Sequence, residues 1–131
     1  MIYFDTSAFM KLVRAERETL ALGAFLSERE GTPFVSSALL IVEARRATLR
    51  TNPNQASLAD MLLSRVNRVE ISDALIEAAS RLPDPMLRSL DAIHLATALQ
   101  LRSDLDCLVT YDARLATAAK QQRLPVAMPG S

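Results

Sequence analysis

The sequence is poor in cysteine and glycine, and it lacks a long hydrophobic run. Its single cysteine, Cys107, excludes a disulfide within the chain and favours a reduced, cytoplasmic protein. Three glycines are too few for a glycine-rich phosphate-binding loop. The apolar run at residues 38–42 is far too short to cross a bilayer. Asp5 directly follows the apolar start of the chain, which is unlike a secretory signal.

Net charge is absent too, because 15 basic residues balance 15 acidic ones. This composition does not suggest a strongly basic nucleic-acid binder. Thirteen of the bases are arginine, which suits bidentate phosphate contacts, although a GC-rich genome would also favour arginine codons. Half of the residues are hydrophobic, so we expect residues 1–131 to form a single compact domain rather than a disordered chain.

Short apolar runs alternate with helical segments along the chain. We predict strands at residues 2–5, 32–35, 66–71 and 105–110, and a short edge strand at 125–127. We predict helices at about residues 6–14, 18–30, 37–50, 55–64, 73–81, 89–102 and 113–122, the third of them capped by Ser36 or Ser37. This alternation predicts an α/β fold with a parallel sheet, helices on both faces and a functional crevice beyond the carboxyl ends of the strands.

Four carboxylates stand where strands and helices meet: Asp5, Glu43, Asp91 and Asp112. Ionised acids in apolar surroundings are costly unless something compensates them. If the four converge, they repel one another and require a divalent cation, so the set predicts a metal site for phosphate chemistry.

Each carboxylate also has an ordinary structural explanation. Asp5 and Asp112 fit helix N-caps, and Asp91 fits a first-turn acid that the helix dipole stabilises. Glu43 could instead face solvent beside an arginine of its own helix. The metal hypothesis therefore depends on all four occurring together in one α/β chain.

Three further side chains lie close to these acids in sequence. Ser7 and Thr110 are each two residues from a candidate ligand, where a hydroxyl can orient a carboxylate or a water molecule, or simply cap the backbone. His94 follows Asp91 by three residues, and we favour a hydrogen-bonded structural histidine over a metal ligand.

In four segments the chain resembles the PIN-domain nucleases, and within them the toxins of bacterial VapBC toxin–antitoxin systems. The segments are residues 2–8 (IYFDTSA), 36–47 (SSALLIVEARRA), 90–98 (LDAIHLATA) and 108–115 (LVTYDARL). Each is weak alone, but the four occur in the family's order from one end of the chain to the other.

The resemblance implies a mostly parallel five-stranded sheet and an endoribonuclease that depends on Mg²⁺ or Mn²⁺. It implies that Asp5, Glu43, Asp91 and Asp112 hold the metal, which activates a water molecule to hydrolyse RNA phosphodiesters. Ser7 and Thr110 match the family's supporting hydroxyls. Many relatives have another acid where this chain has Arg114, which either contacts a substrate phosphate or faces solvent.

The same resemblance implies two protein partners, a second copy of the chain in a homodimer and a small antitoxin that holds the toxin inactive. Apolar helix faces are candidates for the antitoxin's landing site, with core packing as the alternative. The candidates are Phe9, Leu12, Val13, Phe25, Leu26, Leu58, Met61 and Leu62.

Other functions are less consistent with the residues. A phosphatase with an aspartyl nucleophile needs a second acid where Ser7 stands, and a receiver domain needs an acidic pair after its first strand. A non-catalytic PIN-fold interaction domain and an RNA-processing nuclease outside a toxin–antitoxin pair remain as alternatives.

Overall fold

The computed structural model describes all 131 residues as an α/β fold. Its strands are Ile2–Phe4 (β1), Phe34–Ser37 (β2), Asn67–Val69 (β3), Cys107–Val109 (β4) and Val126–Ala127 (β5). Its helices are Thr6–Val13 (α1), Thr19–Ser27 (α2), Leu39–Thr51 (α3), Ala56–Leu63 (α4), Asp73–Ser80 (α5), Ser89–Gln100 (α6) and Ala113–Gln121 (α7). None of the helices combines the length and the hydrophobicity that crossing a membrane requires.

The five strands form one sheet in the order β3-β2-β1-β4-β5, and every neighbouring pair is parallel. The order reverses at β1, which pairs with β2 on one side and with β4 on the other. A crevice forms at such a reversal, because the connections leave the two central strands in opposite directions. The carboxyl ends of β1 and β4 therefore mark the expected functional end of the sheet.

Helices cover both faces of the sheet, as the alternation of strands and helices predicts. Tyr3 and Leu108 pack on one face with residues of α6 and α7. Ile2, Phe4 and Cys107 pack on the other face with residues of α1 and α2. Neighbouring residues of β1 thus face opposite sides, and both sides are buried, which explains why these strands read as unbroken apolar runs. Cys107 is a buried core thiol.

One predicted helix start differs from the structure. Ser36 and Ser37 belong to β2, where they pair with β3, and the N-cap of α3 is Ala38. The hydroxyl of Ser36 donates to the carbonyl of Phe4, so a cross-strand hydrogen bond replaces the capping role. The hydroxyl of Ser37 still accepts from the N–H of Leu39, but Ser37 itself is the last residue of the strand.

Candidate active site

The centre of the candidate site lies where β1 and β4 end side by side. Phe4 pairs with Val109, so the next residues, Asp5 and Thr110, lie across from each other. The hydroxyl of Thr110 donates to Oδ2 of Asp5 at 2.7 Å. Two residues that are 105 positions apart in sequence are thereby joined by a buried hydrogen bond.

Asp5 is almost fully buried, with 2% of its surface exposed. It is the N-cap of α1, and its Oδ1 accepts from the backbone N–H of Ala8 at 3.0 Å. The hydroxyl of Ser7 lies 2.8 and 2.9 Å from its two oxygens. Burial raises the pKa of Asp5, and the hydrogen bonds from Ala8, Thr110 and Ser7 oppose that rise only in part. The capping role and a place in the site therefore coincide in one residue.

Asp112 is the N-cap of α7, and only one of its two carboxylate oxygens accepts the capping hydrogen bonds. Its Oδ1 accepts from the backbone N–H groups of Arg114 and Leu115 at 2.9 and 3.0 Å. Its own N–H donates to the hydroxyl of Thr110 at 3.0 Å. Thr110 thus connects Asp5 to the backbone of Asp112, while Oδ2 of Asp112 makes no hydrogen bond within the protein.

Glu43 projects from α3, and it is not paired with an arginine of that helix. Its Oε1 accepts from Nε2 of His94 at 2.7 Å and from the hydroxyl of Thr6 at 2.5 Å. Burial acts to raise the pKa of Glu43, but the hydrogen bonds from His94 and Thr6 outweigh it, so the pKa is lowered. Glu43 is therefore held towards the sheet rather than towards solvent.

Asp91 lies in the first turn of α6 and is half-buried. It has no salt-bridge partner, and its side chain makes no hydrogen bond within the protein. Burial raises the pKa of Asp91 most, and the charges of Asp112, Asp5 and Glu43 raise it further, against a smaller opposing effect of His94. The charges of the other three predicted acids thus all act on Asp91, so Asp91 lies within electrostatic range of each of them.

The chemistry of these four residues fits a hard divalent cation. Carboxylate oxygens are the ligands that Mg²⁺ and Mn²⁺ prefer, and no lysine or arginine neutralises any of the four. Asp91 and Asp112 each keep a carboxylate oxygen free of protein hydrogen bonds, as Glu43 does. No three acidic, histidine or cysteine side chains lie close enough together to form a ready-made metal-binding group.

The sequence predicts His94 as a hydrogen-bonded structural residue but does not reveal which contacts the histidine makes. His94 is 1% exposed, and its Nδ1 lies 2.7 Å from the hydroxyl of Tyr3. Thr6, which was not singled out, is the second donor to Glu43. The sequence offers only two indications of these contacts: His94 follows Asp91 by three residues, and Thr6 is next to Asp5. Arg114 is exposed beside Asp112 and has no ion-pair partner.

The model of the PIN domain family matches residues 2–121. The chain is 44% identical to ribonuclease VapC35 of Mycobacterium tuberculosis over 132 residues, which cover 99% of this chain and 98% of the relative. It is 39% identical to ribonuclease VapC46 of the same species, with 98% of this chain and 97% of the relative covered.

Solved structures agree in fold. A toxin–antitoxin complex from Klebsiella pneumoniae superposes with a TM-score of 0.74 at 25% identity, over 98% of both chains. The crystal structure of VapC20 of M. tuberculosis also superposes with a TM-score of 0.74, at 15% identity over 90% of this chain and 95% of the other. The second likeness bears on the fold alone.

Proposed function

The chain belongs to the PIN-domain family, and we propose that it is a divalent-metal-dependent endoribonuclease that acts as the toxin of a toxin–antitoxin pair. The observation that carries the proposal is the junction of β1 and β4, where Thr110 joins Asp5 to the backbone of Asp112, with Asp91 close enough to feel the charges of the other three acids. The relatives named as ribonucleases cover nearly the whole chain, which supports RNA as the substrate.

The four acids would hold Mg²⁺ or Mn²⁺, and the bound cation would supply positive charge that activates a water molecule and neutralises a substrate phosphate. Asp5 is immobilised by donors from β4 and α1, so it would fix the position of the cation. Asp91 has no other partner, so both of its oxygens can turn towards the cation. Asp112 would contribute Oδ2, because Oδ1 caps α7. No protein nucleophile is required.

Exposed arginines beside the acids provide contacts for the RNA backbone. Arg46 and Arg50 follow Glu43 by one and two turns of α3 and so share its side of the helix. Arg88 precedes α6, and Arg114 follows Asp112. All four are exposed and none takes part in a salt bridge, whereas Arg45, on another side of α3, is paired with an aspartate of α4. Free guanidinium groups on the same elements as the four acids suit phosphate binding.

The antitoxin partner is supported by the Klebsiella complex, which resembles this chain over nearly its full length. A groove of about 700 Å³ lies between α1, α2 and the start of β2, and Leu12, Leu26 and Leu62 contribute to its lining. We propose this groove as the landing site. Phe9 and Val13 are 0% and 3% exposed, so for these two candidates the alternative of core packing holds, although Phe9 also borders the groove. The homodimer stays a prediction, which analytical ultracentrifugation would check.

The test is endonuclease activity on total RNA by purified, antitoxin-free protein with Mg²⁺, Mn²⁺ or EDTA. We expect cleavage that requires the metal and is lost in Asp91→Asn. The matched control is Asp73→Asn, which removes the first-turn acid of another helix, α5, outside the site. It should cleave as the wild type does.

Two results would count against the proposal. Equal cleavage by Asp91→Asn, or cleavage in EDTA, would exclude the acid-held metal. Absence of cleavage by folded wild-type protein under every condition would favour a non-catalytic PIN-fold interaction domain.

A further inference from the structure

We propose that His94 is a positioning residue which, backed by Tyr3, holds Glu43 by one carboxylate oxygen and so leaves the other oxygen for the cation. The inference rests on the proposed function, since it concerns the same four acids. It assigns a role to Tyr3 and His94, two buried residues whose charge is not needed for the hydrolysis itself.

Three side chains from three elements form a continuous chain of hydrogen bonds. The hydroxyl of Tyr3 in β1 lies 2.7 Å from Nδ1 of His94 in α6, and Nε2 of His94 lies 2.7 Å from Oε1 of Glu43 in α3. Tyr3 and His94 are 0% and 1% exposed, and their rings pack edge to face at 5.8 Å. The histidine ring therefore has little freedom to rotate, and it fixes the end of a longer, half-buried side chain.

The direction of the hydrogen bonds follows from the partners. A carboxylate oxygen only accepts hydrogen bonds, so Nε2 of His94 carries the ring proton and donates to Oε1 of Glu43. Nδ1 of the neutral ring then accepts, and the hydroxyl of Tyr3 donates to it. Tyr3 thus supports the tautomer that Glu43 needs.

Both ring nitrogens of His94 are occupied by these contacts, which excludes the histidine as a metal ligand in this arrangement. Oε1 of Glu43 accepts from His94 and from Thr6, whereas Oε2 makes no hydrogen bond within the protein. Glu43 is therefore arranged to bind a cation through Oε2 alone. Outer partners of this kind set the orientation of a ligating carboxylate, and their loss typically lowers metal affinity ~10–100-fold.

The experiment measures Mn²⁺ affinity by electron paramagnetic resonance, without RNA, in folded and antitoxin-free protein. We expect His94→Leu to lower the affinity ~10–100-fold and Tyr3→Phe to lower it less. His94→Gln, whose amide can still donate to Glu43, should recover much of the loss. Adding His94→Leu to Glu43→Gln should weaken binding no further, because the histidine acts only through the glutamate.

The control is Thr48→Val, which removes a buried hydroxyl of α3 that bonds the carbonyl of Ala44 and does not touch Glu43. It should lower stability but leave Mn²⁺ affinity unchanged. Mn²⁺ affinities of Tyr3→Phe and His94→Leu within twofold of the wild type would overturn the positioning role. If His94→Leu does not fold, Tyr3→Phe decides. Wild-type protein that binds Mn²⁺ but cleaves no RNA would count against the proposed function and leave the positioning role standing.

Discussion

The hydroxyl of Thr110 joins the ends of β1 and β4, and its removal tests whether that bridge organises the site. Thr110 is fully buried; it donates to Asp5 at 2.7 Å and accepts from the N–H of Asp112 at 3.0 Å. Thr110→Val keeps the branched shape and loses both hydrogen bonds. A bond to a carboxylate contributes about 1.5–3 kcal/mol and a neutral one about 0.5–1.5 kcal/mol. We therefore expect Thr110→Val to lower the free energy of unfolding by about 2–4 kcal/mol.

For a chain of this length, 1 kcal/mol corresponds to roughly 4 °C in Tm, so calorimetry of the metal-free protein should show Tm about 8–16 °C lower. Mn²⁺ affinity should fall as well, because Asp5 loses a donor that fixes it.

Thr110→Ser is the matched variant, since it keeps the hydroxyl and loses only a methyl group. It should cost about 1 kcal/mol and retain Mn²⁺ affinity. The reasoning would be refuted if the serine variant were as unstable as the valine variant, or if the valine variant lay within about 0.5 kcal/mol of the wild type.

Three further predictions concern the cation, pH and RNA. Mg²⁺ at a hundred times its dissociation constant should stabilise the wild type by about 2.7 kcal/mol in chemical denaturation, and Asp91→Asn should lose this effect. The folded state raises the pKa of Asp91, so at pH values above the ordinary aspartate pKa the ionised side chain lowers the stability of the fold. Metal-free Asp91→Asn should therefore have a higher free energy of unfolding than the wild type at pH 7. The difference between the two proteins should vanish when the denaturation is repeated below pH 4. Replacing Arg46 and Arg50 by Gln should reduce the slope of log RNA affinity against log salt concentration by about 0.7 per arginine in binding titrations. Arg81→Gln, at the end of α5, should leave this slope unchanged.

Most of the fold could be predicted because its signals are local. The strand predicted at residues 2–5 contains β1, and the strand predicted at 105–110 contains β4. Pro53 begins a short turn between α3 and α4, where the predicted helices at 37–50 and 55–64 leave a gap. The assignment of Ser36 and Ser37 to a cap failed, because the capping tendency of serine is weaker than pairing with a neighbouring strand that the local sequence does not reveal.

The candidate site was predictable in unequal parts. Asp5 and Asp112 follow strands that the sequence marks clearly, so their place at the carboxyl end of the sheet could be inferred. Glu43 was identified as an acid that interrupts an apolar stretch, but its partner could not be found, because His94 lies 51 residues further along the chain. Arg46, on the same helix, was the nearer candidate and is not the partner.

The sequence by itself determined which residue types exist at which spacing: apolar runs that become buried parallel strands, and four acids too costly to bury without compensation. The tertiary structure alone decided which of these residues meet. The periodicity of side chains along the sequence describes a single helix or strand. The contact of Tyr3 with His94 and that of Thr110 with Asp5 depend instead on how the elements pack around β1, where the strand order reverses. Those long-range contacts fix Glu43 and Asp5 in place while Asp91 is left without a partner in the protein.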